Sequence, residues 1–190
     1  MNRQPKKRII SRVSWNNRLS FPDLLNAWEQ EGLDREFEIV IIEDKPDPGF
    51  YRSGDVVLFS FMTPDLPVIY DEVRAIKERW KSDVLLVAGG PHVTGEQELA
   101  FQMGFDVLFV GPAERNFVRF GRDLLDGKAA VFAKEKTVFR AEPGHLDSAE
   151  FNRFLPVSRY FATVPPLEIM RGCFWHCRYC STHLHDVVYR

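Results

Sequence analysis

The stretch DVVLFSF, residues 55–61, decides the fold class of this chain. Its nearly continuous apolar character is typical of a strand that is covered on both faces, as the strands of a parallel sheet are. The segment that follows, 64–80, repeats apolar residues at the helical period of 3.6. Because only a few residues join the two segments, the stretch predicts one strand–helix unit of an α/β protein.

The same alternation of strand and helix continues on both sides of this unit. We predict further strands over residues 8–14, 37–42, 84–88 and 106–110, and further helices over residues 21–31 and 113–125. Alternating short apolar strands and helices form a parallel sheet with helices on both faces. The predicted fold is therefore an α/β, doubly wound, Rossmann-like sheet. After it, residues 130–132 and 137–139 are predicted to form a small hairpin or edge strands, and residues 143–156 an irregular linker.

Composition and charge exclude several classes of function. With 190 residues and a formal net charge of −2, the chain gives no reason to expect a nucleic-acid partner. The basic run over residues 6–8 is short and leads directly into an apolar strand. No segment approaches the ~20 apolar residues that a membrane span requires, and residues 1–7 lack the apolar core of a signal peptide. We therefore predict a cytoplasmic protein without a membrane partner.

Three cysteines near the C-terminus carry the clearest chemical signal. Cys173, Cys177 and Cys180 have the spacing Cys-x3-Cys-x2-Cys, and the chain has no other cysteine. An odd, tightly clustered set does not form a disulfide framework. Thiolates are soft ligands that suit iron–sulfur clusters, zinc or copper(I). Three of them hold three corners of a cubane and leave the fourth iron open for a substrate or cofactor.

This loop resembles the signature of the radical S-adenosylmethionine (radical SAM) superfamily. The resemblance rests on the cysteine spacing, on Tyr179 just before the last cysteine, and on the preceding residues 168–172 (EIMRG), which resemble the first strand and turn of that family's TIM-like barrel. It implies that Cys173, Cys177 and Cys180 bind a [4Fe–4S] cluster and that Tyr179 lies beside the adenine. Such an enzyme reductively cleaves S-adenosylmethionine to a radical that abstracts hydrogen from a substrate, with electrons from a flavodoxin- or ferredoxin-like donor.

The first 140 residues resemble the N-terminal cobalamin-binding domain that many radical SAM proteins carry. Three segments support the resemblance: VVLFSFMTP at 56–64, LVAGGPH at 86–92, and 104–114, which begins GFDV and ends GPAE. A radical methyltransferase that uses methylcobalamin is one activity that the resemblance implies. The residues it implies as cobalamin contacts are Ser60, Thr63, Gly89, Gly90, His92, Gly111 and Glu114.

The sequence departs from other cobalamin proteins in two places. The Asp-x-His-x-x-Gly motif, which supplies a lower axial histidine, is absent, and residues 92–95 provide only a His-x-x-Gly fragment in a later loop. The resemblance therefore implies cobalamin bound base-off, without a protein nitrogen on cobalt. In addition, Pro112 removes a backbone N–H from the Gly-x-x-Glu loop.

Two alternatives to the radical SAM interpretation remain. One is a non-catalytic, Rossmann-like module that binds a cofactor or a partner. The other is a zinc scaffold of the Cys3His type, in which a histidine completes the set of three thiolates. The histidines near the loop are His176, His183 and His185.

The domain organisation follows from these segments. We predict a Rossmann-like, cobalamin-binding-type domain over residues 1–142, a linker over 143–165 and the start of a radical SAM barrel over 166–190. A barrel requires several more β/α units than the ten residues after Cys180 supply. We therefore expect the chain to be incomplete for catalysis, as a truncated reading frame or as one half of a complex.

Overall fold

The computed structural model describes residues 5–142, 148–162, 168–175, 177–178, 180 and 188–189. Six strands form the main sheet: β1 (Arg8–Arg12), β2 (Glu38–Ile42), β3 (Val56–Ser60), β4 (Leu85–Gly89), β5 (Val107–Val110) and β6 (Thr137–Arg140). Their order across the sheet is β2-β1-β3-β4-β5-β6, and every neighbouring pair is parallel. The strand order reverses between β1 and β3, which makes this position the switch point of a doubly wound sheet.

Helices cover both faces of the sheet, which confirms the predicted α/β class. They are α1 (Ser20–Gln30), α2 (Leu66–Trp80), α3 (Pro91–Gly95), α4 (Gln97–Met103), α5 (Glu114–Leu125) and α6 (Ala129–Lys134). One apolar core contains Trp28 of α1 and Phe117 of α5. A second core, on the other face, contains Val73 of α2 and Val93 of α3. Within the described part of the chain, no helix combines the length and the hydropathy that crossing a membrane takes.

A close contact fixes the spacing of α1 and α5. Gly121 of α5 lies against the indole of Trp28, and a Cβ at that glycine would come within 2.9 Å of the ring. The Trp28 Nε1 donates a hydrogen bond to the Phe117 carbonyl at 2.7 Å, and the two rings stack at 4.3 Å between centroids. The two helices are therefore held together at this contact, and their N-terminal turns lie at the carboxyl edge of the sheet.

The strands predicted from apolar runs are confirmed to within two residues at each end. The predicted edge strand at 137–139 is β6, which pairs with β5 in parallel and not in a hairpin. The prediction that residues 130–132 are extended is wrong, because they lie in α6. Alanine is the strongest helix former, and three of the six residues of α6 are alanines. The helix is also held by packing, because Phe132 is part of the apolar core.

The segment predicted to be an irregular linker contains a helix. Residues 148–153 form α7 (Ser148–Arg153), so the prediction of irregular structure is wrong there. The residues after it are bound to α1: the Asn26 side chain accepts a hydrogen bond from the Leu155 N–H at 3.0 Å and donates one to the Val157 carbonyl at 2.9 Å. Part of the predicted linker is thus packed on the sheet domain.

The strand predicted before the cysteine loop is short in the structure. β7 (Met170–Arg171) pairs antiparallel with β8 (Val188–Tyr189). Residues 166 and 167, with which the predicted barrel segment begins, lie outside the described residues. The barrel to which this strand was assigned stays a prediction.

Candidate functional site

A cleft opens at the carboxyl ends of β3, β4 and β5, between the N-terminal turns of α1 and α5. It holds about 210 Å³. Its floor is apolar, because Leu58, Val87 and Phe109 each turn toward the face that α1 and α5 cover. Ligands of doubly wound sheets bind outside the carboxyl ends of the strands, so this cleft is the candidate binding site.

The loops at the rim are shaped by tight backbone approaches. Gly90 follows β4 with φ = 96°, and a Cβ there would lie 2.9 Å from the backbone nitrogen and oxygen of Phe61. Only glycine fits this position. At the next loop the Gly111 N–H donates to Thr94 Oγ1 at 3.4 Å. This N–H has a protein acceptor already, so the loop is held in place from within.

Arg171 reaches from β7 across the mouth of the cleft. Its Nη2 lies 2.9 Å from Oδ2 of Asp23 in the first turn of α1, and its Nη1 pairs with Oε1 of Glu114 in the first turn of α5. Glu168 binds the same guanidinium at 2.7 Å. This bridge joins both walls of the cleft to the segment that leads into Cys173, two residues further on.

Each of the two carboxylates in the cleft wall has only one of its two oxygens paired with a described residue. Arg171 holds one oxygen of each, while Asp23 Oδ1 and Glu114 Oε2 are buried and accept no hydrogen bond from the described residues. Burial raises the pKa of Asp23 to about 7, against the lowering effect of Arg171, and the charges of Glu114 and Glu168 raise it further. Asp23 therefore changes charge near neutral pH at the mouth of the cleft.

Replacing Asp23 with asparagine is expected to change the pH dependence of stability. Folded Asp23 keeps its proton up to about pH 7, whereas the ordinary carboxyl titrates near 3.8, so the folded state binds the extra proton between these values. The free energy of unfolding of the wild type therefore falls as the pH rises through this window. Between pH 5 and pH 8 we expect the free energy of unfolding of the wild type to fall by about 2–3 kcal/mol relative to that of Asp23→Asn. This value follows from about 1.4 kcal/mol per pKa unit.

Urea unfolding at pH 5 and pH 8 measures this difference. Asp71→Asn is the control, because it makes the same substitution at an exposed carboxylate on α2. If Asp23→Asn and the wild type lose the same free energy over this range, the buried titration of Asp23 is contradicted.

Of the seven residues that we predicted to contact cobalamin, five line the cleft and two do not. Those that line the cleft are Ser60, Gly89, Gly90, Gly111 and Glu114. Thr63 and His92 do not line it; instead Thr63 Oγ1 and His92 Nδ1 lie 3.1 Å apart. Sequence reasoning missed Asp23, Leu24 and Arg171 as cleft residues. An acid in the first turn of α1 was the available signal for Asp23, whereas nothing local marks Arg171, which arrives from the far end of the chain.

His92 is placed as a core residue. Its ring is buried and stacks on Phe61 with 5.4 Å between centroids. Burial lowers the pKa of His92, so its imidazole is neutral at physiological pH. Its Nε2 is buried without a hydrogen-bond partner among the described residues.

The three cysteines are described and half-buried, and they form no disulfide. The Cys180 N–H donates to the Cys177 carbonyl at 3.0 Å, which closes a turn in the loop. Among the residues that the structure describes, no three Cys, His, Asp or Glu side chains are gathered as a metal-binding group. Three thiolates suit a soft metal by their chemistry, but the structure does not bring the three cysteine side chains together as a metal-binding group. The predicted adenine neighbour and the three histidines of the zinc alternative lie outside the described residues: Tyr179, His176, His183 and His185.

Comparison with known families finds one similarity within the sheet domain. Residues 52–120 match the model of the B12 binding domain. The matched stretch runs from just before β3 into α5, and it contains the cleft floor together with every cleft residue that we predicted. Over residues 52–120 the sheet domain is therefore similar to a B12 binding domain. Its six-stranded parallel sheet with flanking helices fits the Rossmann-like fold of cobalamin-binding domains.

One solved structure adds a similar protein. It is a crystal structure of the N-terminal domain of a hypothetical protein from Thermotoga maritima, with 30% sequence identity and a TM-score of 0.42. The match covers 66% of this chain and 92% of that chain. No curated protein matches this sequence.

Proposed function

We propose that this chain binds cobalamin in the cleft between α1 and α5. The observation that carries the proposal is that the B12-binding match contains the cleft floor and the loops at its rim. The cleft is apolar at its base and holds about 210 Å³, which suits a flat bicyclic base such as the benzimidazole of cobalamin. The larger corrin ring would lie over the loops at the carboxyl edge. Bound cobalamin would supply transfer of an alkyl or methyl group through cobalt.

We propose further that no protein imidazole binds the cobalt. His92 contacts Thr63 and Phe61 and does not line the cleft, and none of the described residues that line it is a histidine. Titration with hydroxocobalamin, followed by absorbance, tests both statements. We expect saturable binding of one cobalamin per chain, with a spectrum without a histidine ligand on cobalt. A spectrum of histidine-ligated cobalt would contradict the second statement, and absence of binding would contradict the first.

A second candidate function concerns the cysteine loop. We propose that Cys173, Cys177 and Cys180 bind a [4Fe–4S] cluster that reductively cleaves S-adenosylmethionine, so that the whole protein is a radical SAM enzyme. Three cysteines outside any disulfide, at the Cys-x3-Cys-x2-Cys spacing, support this proposal. A flavodoxin- or ferredoxin-like electron donor and a small-molecule substrate would then be its partners. In this proposal the cobalamin domain serves a radical reaction such as methyl transfer.

Metal analysis separates this candidate from its alternatives. Protein purified without oxygen should contain about four irons and four acid-labile sulfides per chain, and both should be lost in a Cys173→Ala, Cys177→Ala, Cys180→Ala triple variant. Detection of zinc without sulfide would favour the Cys3His zinc scaffold over the iron–sulfur cluster. If the protein contains neither iron nor zinc, and if cobalamin binding survives the triple substitution, the results would favour a non-catalytic cobalamin-binding module.

A further inference from the structure

Two buried oxygens in the wall of the cleft have no hydrogen-bond donor among the described residues. Arg171 binds Glu114 through Oε1 and Asp23 through Oδ2, which leaves Glu114 Oε2 and Asp23 Oδ1 unpaired there. The Glu114 side chain is only 5% exposed, so water does not readily satisfy its second oxygen. Buried polar atoms are almost always paired in folded proteins. Two unpaired acceptors in one cleft therefore indicate that a ligand supplies the donors.

We infer that Asp23 Oδ1 and Glu114 Oε2 are paired acceptors for the amide N–H groups on the rim of a bound corrinoid. The inference rests on the proposed cobalamin function. The corrin ring of cobalamin carries primary amides along its edge, and each amide nitrogen offers two donors. Above about pH 7, where Asp23 has lost its proton, both side chains are carboxylates. They then accept such a bond strongly and repel a further carboxylate. The cleft mouth would therefore select amide groups over carboxyl groups.

Arg171 is the positioning residue of this acceptor pair. Its guanidinium lies between the two carboxylates and holds one oxygen of each, which fixes the direction of the other oxygen. Its charge also offsets the repulsion between Asp23 and Glu114. Since Arg171 lies two residues before Cys173, the acceptors are in place only when the cysteine segment is docked on the cleft. Recognition of the corrinoid is thereby coupled to the position of the cysteine loop.

The affinities of cobalamin and of cobalamin monocarboxylates, measured at pH 8, test the inference. In each monocarboxylate a single peripheral amide is hydrolysed to the acid, so that one donor site becomes an acceptor. We expect at least one monocarboxylate to bind the wild type about 10- to 100-fold more weakly than cobalamin, the value of a hydrogen bond to a charged group. In Glu114→Gln and in Asp23→Asn this ratio should fall toward one. Arg171→Gln removes the positive charge that pairs with both carboxylates. This variant should discriminate against that monocarboxylate at least as strongly as the wild type, while it binds cobalamin itself more weakly because the acceptors are no longer fixed.

Glu31→Gln is the matched control. Glu31 lies just after α1 and pairs with Arg122 of α5 and with Arg153 of the C-terminal segment, but it is outside the cleft. In Glu31→Gln the ratio of the cobalamin affinity to the monocarboxylate affinity should equal the wild-type ratio. Because the readout is a ratio of two ligands within one variant, partial unfolding does not imitate the effect. If the wild type binds all the corrinoids equally, or if Glu114→Gln keeps the wild-type ratio, the inference is overturned while cobalamin binding stands. If the wild type binds no corrinoid, the proposed function fails, and the inference fails with it.

Discussion

Replacing Glu72 with leucine is expected to lower the free energy of unfolding by about 3–5 kcal/mol, the cost of leaving a buried charge without its partner. Glu72 of α2 binds Arg12 at the end of β1 through two contacts, Nε–Oε1 at 2.5 Å and Nη2–Oε2 at 3.0 Å. The side chains of Arg12 and Glu72 are 10% and 2% exposed. Arg12 also donates to the carbonyls of Ile42 and Glu43 at the end of β2, so the pair joins β1, β2 and α2 next to the switch point.

Urea unfolding of three variants measures this effect. The double variant Arg12→Met, Glu72→Leu removes both charges and should recover most of the free energy that Glu72→Leu loses. Glu78→Gln breaks an exposed pair with Arg74 on the same helix, where both side chains are more than half exposed, and it should cost less than about 1 kcal/mol. A Glu72→Leu protein as stable as the exposed-pair variant would show that the Arg12–Glu72 pair does not hold this part of the sheet together.

Replacing Leu24 with tryptophan is expected to weaken cobalamin binding more than about 100-fold. Leu24 is a partly buried residue of α1 that lines the cleft. An indole at this position takes up much of the roughly 210 Å³ in which the benzimidazole base would lie. The ligand would have to displace the indole or bind without its base, and a loss of about 2.7 kcal/mol corresponds to 100-fold in affinity.

Leu125→Trp provides the comparison for this variant. Leu125 ends α5, is 49% exposed and lies outside the cleft, so the same substitution there should leave the affinity unchanged. Equilibrium dialysis against hydroxocobalamin gives both affinities, and thermal unfolding checks that both variants are folded. If Leu24→Trp binds as tightly as Leu125→Trp, cobalamin does not use the cleft between α1 and α5.

The sheet could be predicted from the sequence because its strands are buried on both faces. Continuous apolar runs such as residues 56–60 and 85–89 are typical of the central strands of a parallel sheet. The short helices α4, α6 and α7 were missed or misassigned, since segments of six or seven residues show too few turns for a helical period to be recognised. Their helicity depends on packing against the sheet domain, which composition does not reveal.

The candidate site was predicted only in part, for a different reason. Loops at the carboxyl ends of strands are local in sequence, and the segments that resemble a cobalamin-binding domain place Ser60, Gly89 and Glu114 in such loops. The contact of Arg171 with Asp23 spans 148 residues, and no local pattern indicates which distant side chains meet. His92 was named from the resemblance of residues 86–92, and the structure places its ring against Phe61, outside the cleft lining.

A crystal structure of this chain grown with cobalamin would show directly whether the cleft is the cobalamin site. We predict the benzimidazole base between α1 and α5, above Leu58 and Val87, with corrin amides within hydrogen-bond distance of Asp23 and Glu114. We also predict no side-chain nitrogen on the cobalt. Cobalamin bound elsewhere on the molecule, or with His92 on the cobalt, would contradict the assignment of the cleft.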